Sequence, residues 1–204
     1  MALEEFLEEL RCVDNETALR DFAIRKILHG TPYLFYEREE ELYNFKERIC
    51  QKFTIHHTEI LLVGSAKLGF SPIKKTHFSL DSDVDIAIVS EELWEKVFQM
   101  GMELEYARKN AQITFHNEQL KKYHRFLKFM AIGWVRPDLI PQHLQMSSFK
   151  NDWFEFFNSI SYGRSEAGDY KVNAGIFRNH MYLEKYSTNS VKYMQQNITL
   201  PENA

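Results

Sequence analysis

Hydrophobic residues recur at intervals of three and four along much of the chain, which is the spacing of amphipathic helices. In the first such segment, residues 2–11, Leu3, Phe6, Leu7 and Leu10 fall on one face. The three helices predicted before residue 57 form an N-terminal helical extension. On the same grounds, helices are predicted over residues 15–29, 37–53, 90–102, 117–132, 153–157 and 179–196.

Three other segments are dense in aliphatic and β-branched residues and are too short to be helices, so they predict strands. They are Ile60–Val63, the stretch that begins at Asp83 and runs to Val89, and Tyr170–Phe177. Helices and strands in this arrangement predict one domain of the α+β class over residues 1–204. Its expected parts are a helical N-terminal part (1–57), a sheet with its helices (58–177), including a turn at 133–138, a C-terminal helix (178–198) and a frayed tail (199–204).

Two acidic residues stand at the beginning of the second predicted strand. Side chains alternate across a strand, so Asp83 and Asp85 project from one face while Val84 and Ile86 point into the core. At ~7 Å and an effective dielectric constant of ~20, the two carboxylates repel each other by about 2 kcal/mol. A divalent cation would relieve that repulsion, and Mg²⁺ binds a few carboxylates together with substrate phosphate oxygens. The pattern predicts a site for Mg²⁺ or Mn²⁺ at Asp83 and Asp85.

A glycine-serine turn follows the first predicted strand. Gly64 allows the backbone to come close to a phosphate, successive amides of such a turn bind anions, and Ser65 adds a hydroxyl donor. Lys67, just after the turn, is a further candidate phosphate ligand. The loop beyond it carries Lys74 and Lys75, which either hold a phosphate or are simply solvated.

Two better-known motifs fit this stretch poorly. Residues 64–71 approach a P-loop, but Phe70 stands where a P-loop needs lysine. The acids between 81 and 92 match the spacing of a calcium-binding loop, which requires glycine where Ile86 stands. The remaining alternative is a hairpin-like connection with a solvated acidic end.

The order of strand, Gly-Ser turn, loop and acid-x-acid strand resembles the DNA polymerase beta-like nucleotidyltransferase superfamily. Val63-Gly64-Ser65 and Ser82-Asp83-Val84-Asp85 carry the match. The resemblance implies a small mixed sheet flanked by helices. It also implies Mg²⁺-dependent transfer of a nucleoside monophosphate from an NTP, ATP first among them, to a hydroxyl acceptor, with release of pyrophosphate. The acceptor would be a nucleotide, an RNA end, a protein or a small molecule.

The same resemblance assigns expected roles to residues of the two motifs. Asp83 and Asp85 would be catalytic metal ligands. Gly64 and Ser65 would hold the β- and γ-phosphates, and Ser82 would orient the acidic end of the strand.

Members of the superfamily normally supply a third carboxylate from a neighbouring strand, which here would be Tyr170–Phe177. That strand contains no acid, and Asn173 stands where one is expected. Asp169, at the start of the strand, is the candidate for the third catalytic acid. The missing carboxylate leaves an alternative: a nucleotide-binding or interaction module of the same fold that has lost catalysis.

Composition and charge narrow the remaining possibilities. A formal net charge of −4 argues against a general nucleic-acid binder. Cys12 and Cys50 lack partners at metal-binding spacing, so neither zinc nor a disulfide is expected. The adjacent His56 and His57 would point to opposite faces of a strand, so they are not expected to bind a metal ion. No apolar run has the length of a signal sequence or a membrane span, so a cytoplasmic protein that does not bind membranes is expected.

Overall fold

The computed structural model describes residues 2–199 and has helices on both sides of a small sheet. Within that range the α-helices are α1 (Leu3–Arg11), α2 (Glu16–Ala23), α3 (Glu39–Phe53), α4 (Gly64–Leu68), α5 (Glu91–Lys109), α6 (Asn117–Ala131), α7 (Leu144–Ser159) and α8 (His180–Thr199), and a π-helical turn, Ile24–Leu28, continues α2. The strands are β1 (Ile60–Val63), β2 (Phe70–Ser71), β3 (Thr76–His77), β4 (Asp83–Val89), β5 (Trp134–Val135) and β6 (Lys171–Phe177).

Four of the strands form one mixed sheet in the order β1-β4-β6-β5, while β2 and β3 form a separate hairpin. β4 occupies a central place: it pairs antiparallel with β1 and parallel with β6, and β5 pairs antiparallel with β6. Two parallel neighbours need a long crossover connection, which α5, α6, β5 and α7 supply. These observations confirm the predicted α+β class and the mixed sheet flanked by helices.

The main hydrophobic core covers the face of the sheet that receives the even-numbered residues of β4. Val84 and Ile88 are fully buried there, together with Val97 of α5 and the aromatic residues Trp153 and Phe157 of α7. Burial of these alternate side chains fixes the orientation of β4, so its odd-numbered residues must project from the opposite face.

A second buried cluster joins the N-terminal helices to the C-terminal helix. Phe6 of α1 makes edge-to-face contacts with Phe22 of α2 and Phe70 of β2, at ring-centroid distances of 5.0 and 5.5 Å. Val191 and Met194 of α8 complete the cluster. Helices α1 and α2 are therefore docked on α8 and on the hairpin that follows α4, whereas α3 packs in the main core.

The structure corrects two local predictions. His57 begins a 3-10 turn, His57–Glu59, instead of leading straight into a strand, because the His56 ring nitrogen accepts a hydrogen bond from the Thr58 amide. The segment predicted as a turn at 133–138 contains the edge strand β5, which pairs with the end of β6.

The tail predicted at 199–204 lies outside the described residues, except that residue 199 ends α8. Among residues 2–199, no helix combines the length and apolar character that crossing a bilayer requires.

We predict that Phe22→Ala will lower the free energy of unfolding by about 3–5 kcal/mol, because it opens a cavity between α1, α2 and β2. Urea denaturation followed by circular dichroism measures the change. Tyr106→Ala is the control: its side chain is 59% exposed on α5, and its removal should change stability by no more than ~0.5 kcal/mol. Equal losses in the two variants would mean that Phe22 does not anchor the N-terminal helices.

Candidate active site

Asp83 and Asp85 lie at the beginning of β4, on the face of the sheet opposite the main core. Val84, between them, is fully buried on the other face, as the alternation predicted. Asp85 is flanked in the sheet by Val63, the last residue of β1, and by Asn173 of β6. The end of β1 and the middle of β6 therefore meet beside the two carboxylates.

The glycine-serine turn lies directly against Asp85. Gly64 follows β1 and begins α4 with φ +66°, a backbone conformation that favours glycine. A Cβ added at this position would lie 3.2 Å from the Asp85 Oδ2, so a larger residue would be both strained and crowded. Ser65 is next in α4, and among the described residues its hydroxyl has no hydrogen-bond partner. The turn and the acid that the sequence places 21 positions apart are thus in contact.

A cleft of about 730 Å³ extends from this point along the sheet, and residues of α4, α7 and α8 line it. Asp85 and Asn173 line it from the sheet, and Gly64 and Ser65 line it from α4. Asp83 is not one of the lining residues, but it contacts two of them, Lys171 and Asn173. The lining residues contributed by α8 are Leu183, Tyr186, Ser187, Ser190 and Met194.

Asp83 is held by two neighbours on β6. The amide Nδ2 of Asn173 donates a hydrogen bond of 2.8 Å to the Asp83 Oδ2, and the Lys171 Nζ lies 3.9 Å from the same oxygen. Both donors come from the strand that runs parallel to β4, where Lys171 pairs with Asp83 in the register. Asp83 therefore has partial charge compensation within the protein.

Asp85 has an unusual environment for a carboxylate. Water reaches its side chain from the cleft, but the surrounding walls displace much of the bulk solvent. This partial burial, reinforced by the negative charge of Asp83, raises the pKa of Asp85 to about 6, although Lys171 and Lys74 act in the opposite direction. The chemistry that suits such a pair is binding of a hard divalent cation through oxygen, because the cation would favour the ionised forms of both acids.

The third carboxylate expected next to the pair is absent from the part of β6 that faces it. Asn173, not an acid, occupies the register position beside Asp85. Asp169 is exposed, precedes the first residue of β6 and does not line the cleft. This placement gives no support to the catalytic role expected for Asp169.

Two other predicted site residues have their functional groups directed elsewhere. The ammonium group of Lys67 is largely buried and donates hydrogen bonds to the backbone carbonyls of His29, Gly30 and Thr31. Burial lowers the pKa of Lys67 to about 8. The contacts of Lys67 join α4 to the N-terminal segment and do not provide a phosphate ligand in the cleft.

Ser82 fixes the turn that leads into β4. Its hydroxyl accepts a hydrogen bond from the Ser79 amide at 3.1 Å, and its own amide donates to the Ser79 carbonyl. The residue therefore shapes the backbone immediately before Asp83, and its hydroxyl is engaged in that turn.

Sequence inspection missed several residues that shape the site. Lys171 could have been found, because it lies two positions before Asn173 and must share its face of the strand. The contribution of α8 had no comparable signal, since Tyr186, Ser187 and Ser190 resemble the polar face of any surface helix. Only the packing of α8 over the sheet brings them to the cleft.

No protein-family model matches this chain, and neither the curated proteins nor the solved structures include a significant match. What can be said about its function therefore rests on the residues and their geometry.

We predict that Asp85→Asn will stabilise the metal-free protein at neutral pH. The pKa of Asp85 is raised to about 6, whereas an unfolded-chain Asp has a pKa of about 3.9, so between these values the folded state holds a proton that the unfolded state has lost. The free energy of unfolding of the wild type therefore falls as pH rises through this window. The variant lacks that loss, so its advantage should grow from ~pH 4 to ~pH 6 and stay constant above.

Urea denaturation of both proteins in buffers free of divalent cations measures this difference. Asp81→Asn serves as the control, because it removes an exposed carboxylate that precedes β4. A stability difference between wild type and Asp85→Asn that does not change with pH would contradict the assigned environment of Asp85.

Proposed function

We propose that this chain is a Mg²⁺-dependent nucleotidyltransferase that transfers a nucleoside monophosphate from an NTP to a hydroxyl acceptor and releases pyrophosphate. The observation that carries the proposal is the contact between the Gly64-Ser65 turn and Asp85 at one end of a cleft, with Asp83 two positions before Asp85 on the same face of β4. A phosphate held at the turn would lie beside a cation held by the acids. Two antiparallel strands joined by that turn and loop, with the acidic pair at the start of the second, also support the resemblance that the sequence motifs suggest.

The donor set of the acidic pair suits Mg²⁺ or Mn²⁺, which prefer carboxylate and phosphate oxygens. Asp83 and Asp85 would hold the ion, and a bound ion would supply positive charge that offsets the charge on the phosphoryl oxygens. Ser65 would donate a hydrogen bond from its hydroxyl to a phosphate oxygen. Asn173 would orient Asp83 through the amide hydrogen bond.

The reaction forms a bond between the acceptor oxygen and the α-phosphorus and breaks the bond from that phosphorus to the bridging oxygen of pyrophosphate. The acceptor hydroxyl must also lose its proton. The Asn173 amide cannot take that proton at neutral pH, so the proton must pass to water or to an ionised carboxylate of the pair. The cleft beyond the acids, lined by Tyr186, Ser187 and Ser190, is where we place the acceptor or the nucleoside.

Asn173 also favours a second candidate function, that of a nucleotide-binding module without catalysis. A neutral amide beside Asp85 retains hydrogen bonding and cation binding but removes a potential base. In that case the chain would bind Mg²⁺ and NTP at the same turn and acids but would not release pyrophosphate.

We predict that the double variant Asp83→Asn, Asp85→Asn will lose Mg²⁺-dependent NTP turnover while its circular dichroism spectrum stays unchanged. The two amides keep the volume of the side chains but bind a cation weakly. The assay incubates the protein with each labelled NTP and Mg²⁺ or Mn²⁺, alone and with cell lysate, and measures labelled products and pyrophosphate. Asp81→Asn, which changes an acid outside the cleft, should retain full turnover.

The outcomes separate the two candidates. Turnover in wild type and not in the double variant supports the enzyme. Mg²⁺-dependent NTP binding by calorimetry without pyrophosphate release, lost in the double variant, supports the binding module. Turnover that survives in the double variant, or unfolding of that variant, would contradict both assignments. Self-labelling, labelled lysate protein or RNA, or a small labelled product would identify the class of acceptor.

We predict that Asn173→Asp will raise turnover at saturating Mg²⁺, by about 10²-fold if deprotonation of the acceptor limits the rate, because the new carboxylate can act as a general base. Rates of pyrophosphate release in the two proteins test this. Asn179→Asp introduces the same charge beyond the far end of β6 and should leave the rate unchanged. Equal rates in wild type and Asn173→Asp would show that this position does not take part in the chemical step.

A further inference from the structure

Three side chains with different metal-binding atoms converge at the end of α3, away from the cleft. They are Glu47 and Cys50 on the helix and His57 in the turn before β1. Their ligand atoms, one carboxylate oxygen, one thiol sulfur and one ring nitrogen, all lie within 4.8 Å of one another. Among residues 2–199, no other three His, Cys, Asp or Glu side chains bring their ligand atoms this close together.

The local backbone explains how residues ten positions apart come together. Glu47 and Cys50 are three residues apart on α3 and therefore lie on the same face of the helix. After Phe53 the chain reverses at Thr54, which adopts the left-handed conformation with φ +56°. The 3-10 turn that follows then brings His57 back against the helix. The spacing of the cysteines, on which the sequence-based expectation of no zinc rested, gives no indication of this arrangement.

Two of the three ligands are already oriented by neighbouring groups. The Glu47 Oε2 lies 2.7 Å from the His57 Nε2, and the other carboxylate oxygen accepts a hydrogen bond of 2.9 Å from the Gln51 side chain. The His57 ring stacks on Tyr43, with ring centroids 4.6 Å apart and planes inclined by 14°. Metal ligands in proteins are commonly oriented in this way by second contacts.

The exposure of the three residues suits an ion that enters from solvent. The Cys50 residue is 8% exposed, whereas Glu47 and His57 are partly exposed, so the sulfur forms the inner side of the group. Two charged residues lie near the group of three ligands. The Glu59 carboxylate interacts electrostatically with Cys50, and the Lys46 ammonium donates a hydrogen bond of 3.4 Å to the His57 carbonyl oxygen. The carboxylate of Glu59 favours a cation at this place, while the Lys46 ammonium opposes it and favours the thiolate.

We propose that Glu47, Cys50 and His57 form a Zn²⁺ site, with water as the fourth ligand. Tetrahedral zinc with Zn–N and Zn–O distances of about 2.0–2.2 Å and Zn–S of about 2.3 Å needs ligand atoms about 3.3–3.8 Å apart. The ligand atoms present reach this arrangement by small side-chain movements, as the ion separates the Glu47 oxygen from the His57 nitrogen. Mixed nitrogen, sulfur and oxygen ligands favour zinc, in contrast to the oxygen-only pair in the cleft.

Binding also requires loss of the thiol proton. Zn²⁺ forms a bond to the Cys50 sulfur, and the proton leaves to solvent, so one proton is released for each ion bound. Because the thiol must lose its proton, the affinity for zinc should increase with pH. The bound ion would connect α3 to the turn that leads into β1, the strand that ends at Gly64.

The test uses the full chain with Zn²⁺ or Co²⁺ alone as the probe. Co²⁺ bound to a thiolate gives a ligand-to-metal charge-transfer band, which a site made only of aspartates cannot give, so the signal is independent of the cleft and of the proposed activity. Equimolar Co²⁺ should produce the band in wild type, and Zn²⁺ should abolish it by displacement. Zn²⁺ should also raise the melting temperature.

Two matched pairs of variants locate the ligands. Cys50→Ser should abolish the band and Cys12→Ser, at the other and exposed cysteine, should keep it. His57→Ala should abolish stoichiometric binding and His124→Ala, at an exposed histidine on α6, should retain it. Gln51→Ala should weaken Zn²⁺ binding by about 10-fold or more, because it removes a group that orients Glu47.

The proposal is overturned if wild type shows no charge-transfer band, if the band persists in Cys50→Ser, or if His124→Ala and His57→Ala lose binding equally. Should Cys50→Ser unfold, as judged by circular dichroism, the His57 pair decides, because that ring is partly exposed and its loss leaves the core intact.

Discussion

Repulsion between two carboxylates fixed to one face of a single strand is the constraint on which the candidate site depends. Asp83 and Asp85 cannot separate by a shift of β4, because Val84 and Ile86 between and beyond them are buried in the main core. A one-residue slip would move every side chain of the strand to the wrong face. The strand is also hydrogen-bonded on both sides, to β1 and to β6. The charge must therefore be compensated by neighbouring groups or by a cation.

The neighbours on β6 compensate only part of that charge, and they do so unequally. Asp83 has the Asn173 amide and the Lys171 ammonium close to one oxygen, whereas Asp85 is opposite the glycine turn and has a raised pKa. A carboxylate at position 173 would add a third negative charge and remove the hydrogen bond to Asp83. The amide thus makes the ion-free pair easier to maintain than a carboxylate would, but unlike a carboxylate it cannot accept a proton at neutral pH. Stability of the free site and capacity for proton transfer are opposed at this position.

Much of the sheet and the centre of the site could be predicted from sequence, because both depend on local patterns. Alternation along β4 was sufficient to place Asp83 and Asp85 on one face, and the same pattern on β6 located Asn173. Lys67 shows why other roles were not predictable: its position after the turn suggested a phosphate ligand, but its direction is set by carbonyls 36–38 residues earlier in the chain. Such long-range contacts leave no periodic signal.

The N-terminal part of the chain stabilises the geometry of the candidate site, although none of α1, α2 or α3 contributes a carboxylate to the cleft. β1 has four residues and α4 has five, and elements so short do not hold their own position. α4 is held by the bonds from Lys67 to the segment after α2, and the strand after α4 is held by Phe70 in the cluster with Phe6 and Phe22. The distance from the Gly64 turn to Asp85 is therefore maintained from outside the sheet. Loosening of the N-terminal extension would move the Gly64-Ser65 turn before it disturbed the acids, because β4 is anchored independently by the main core.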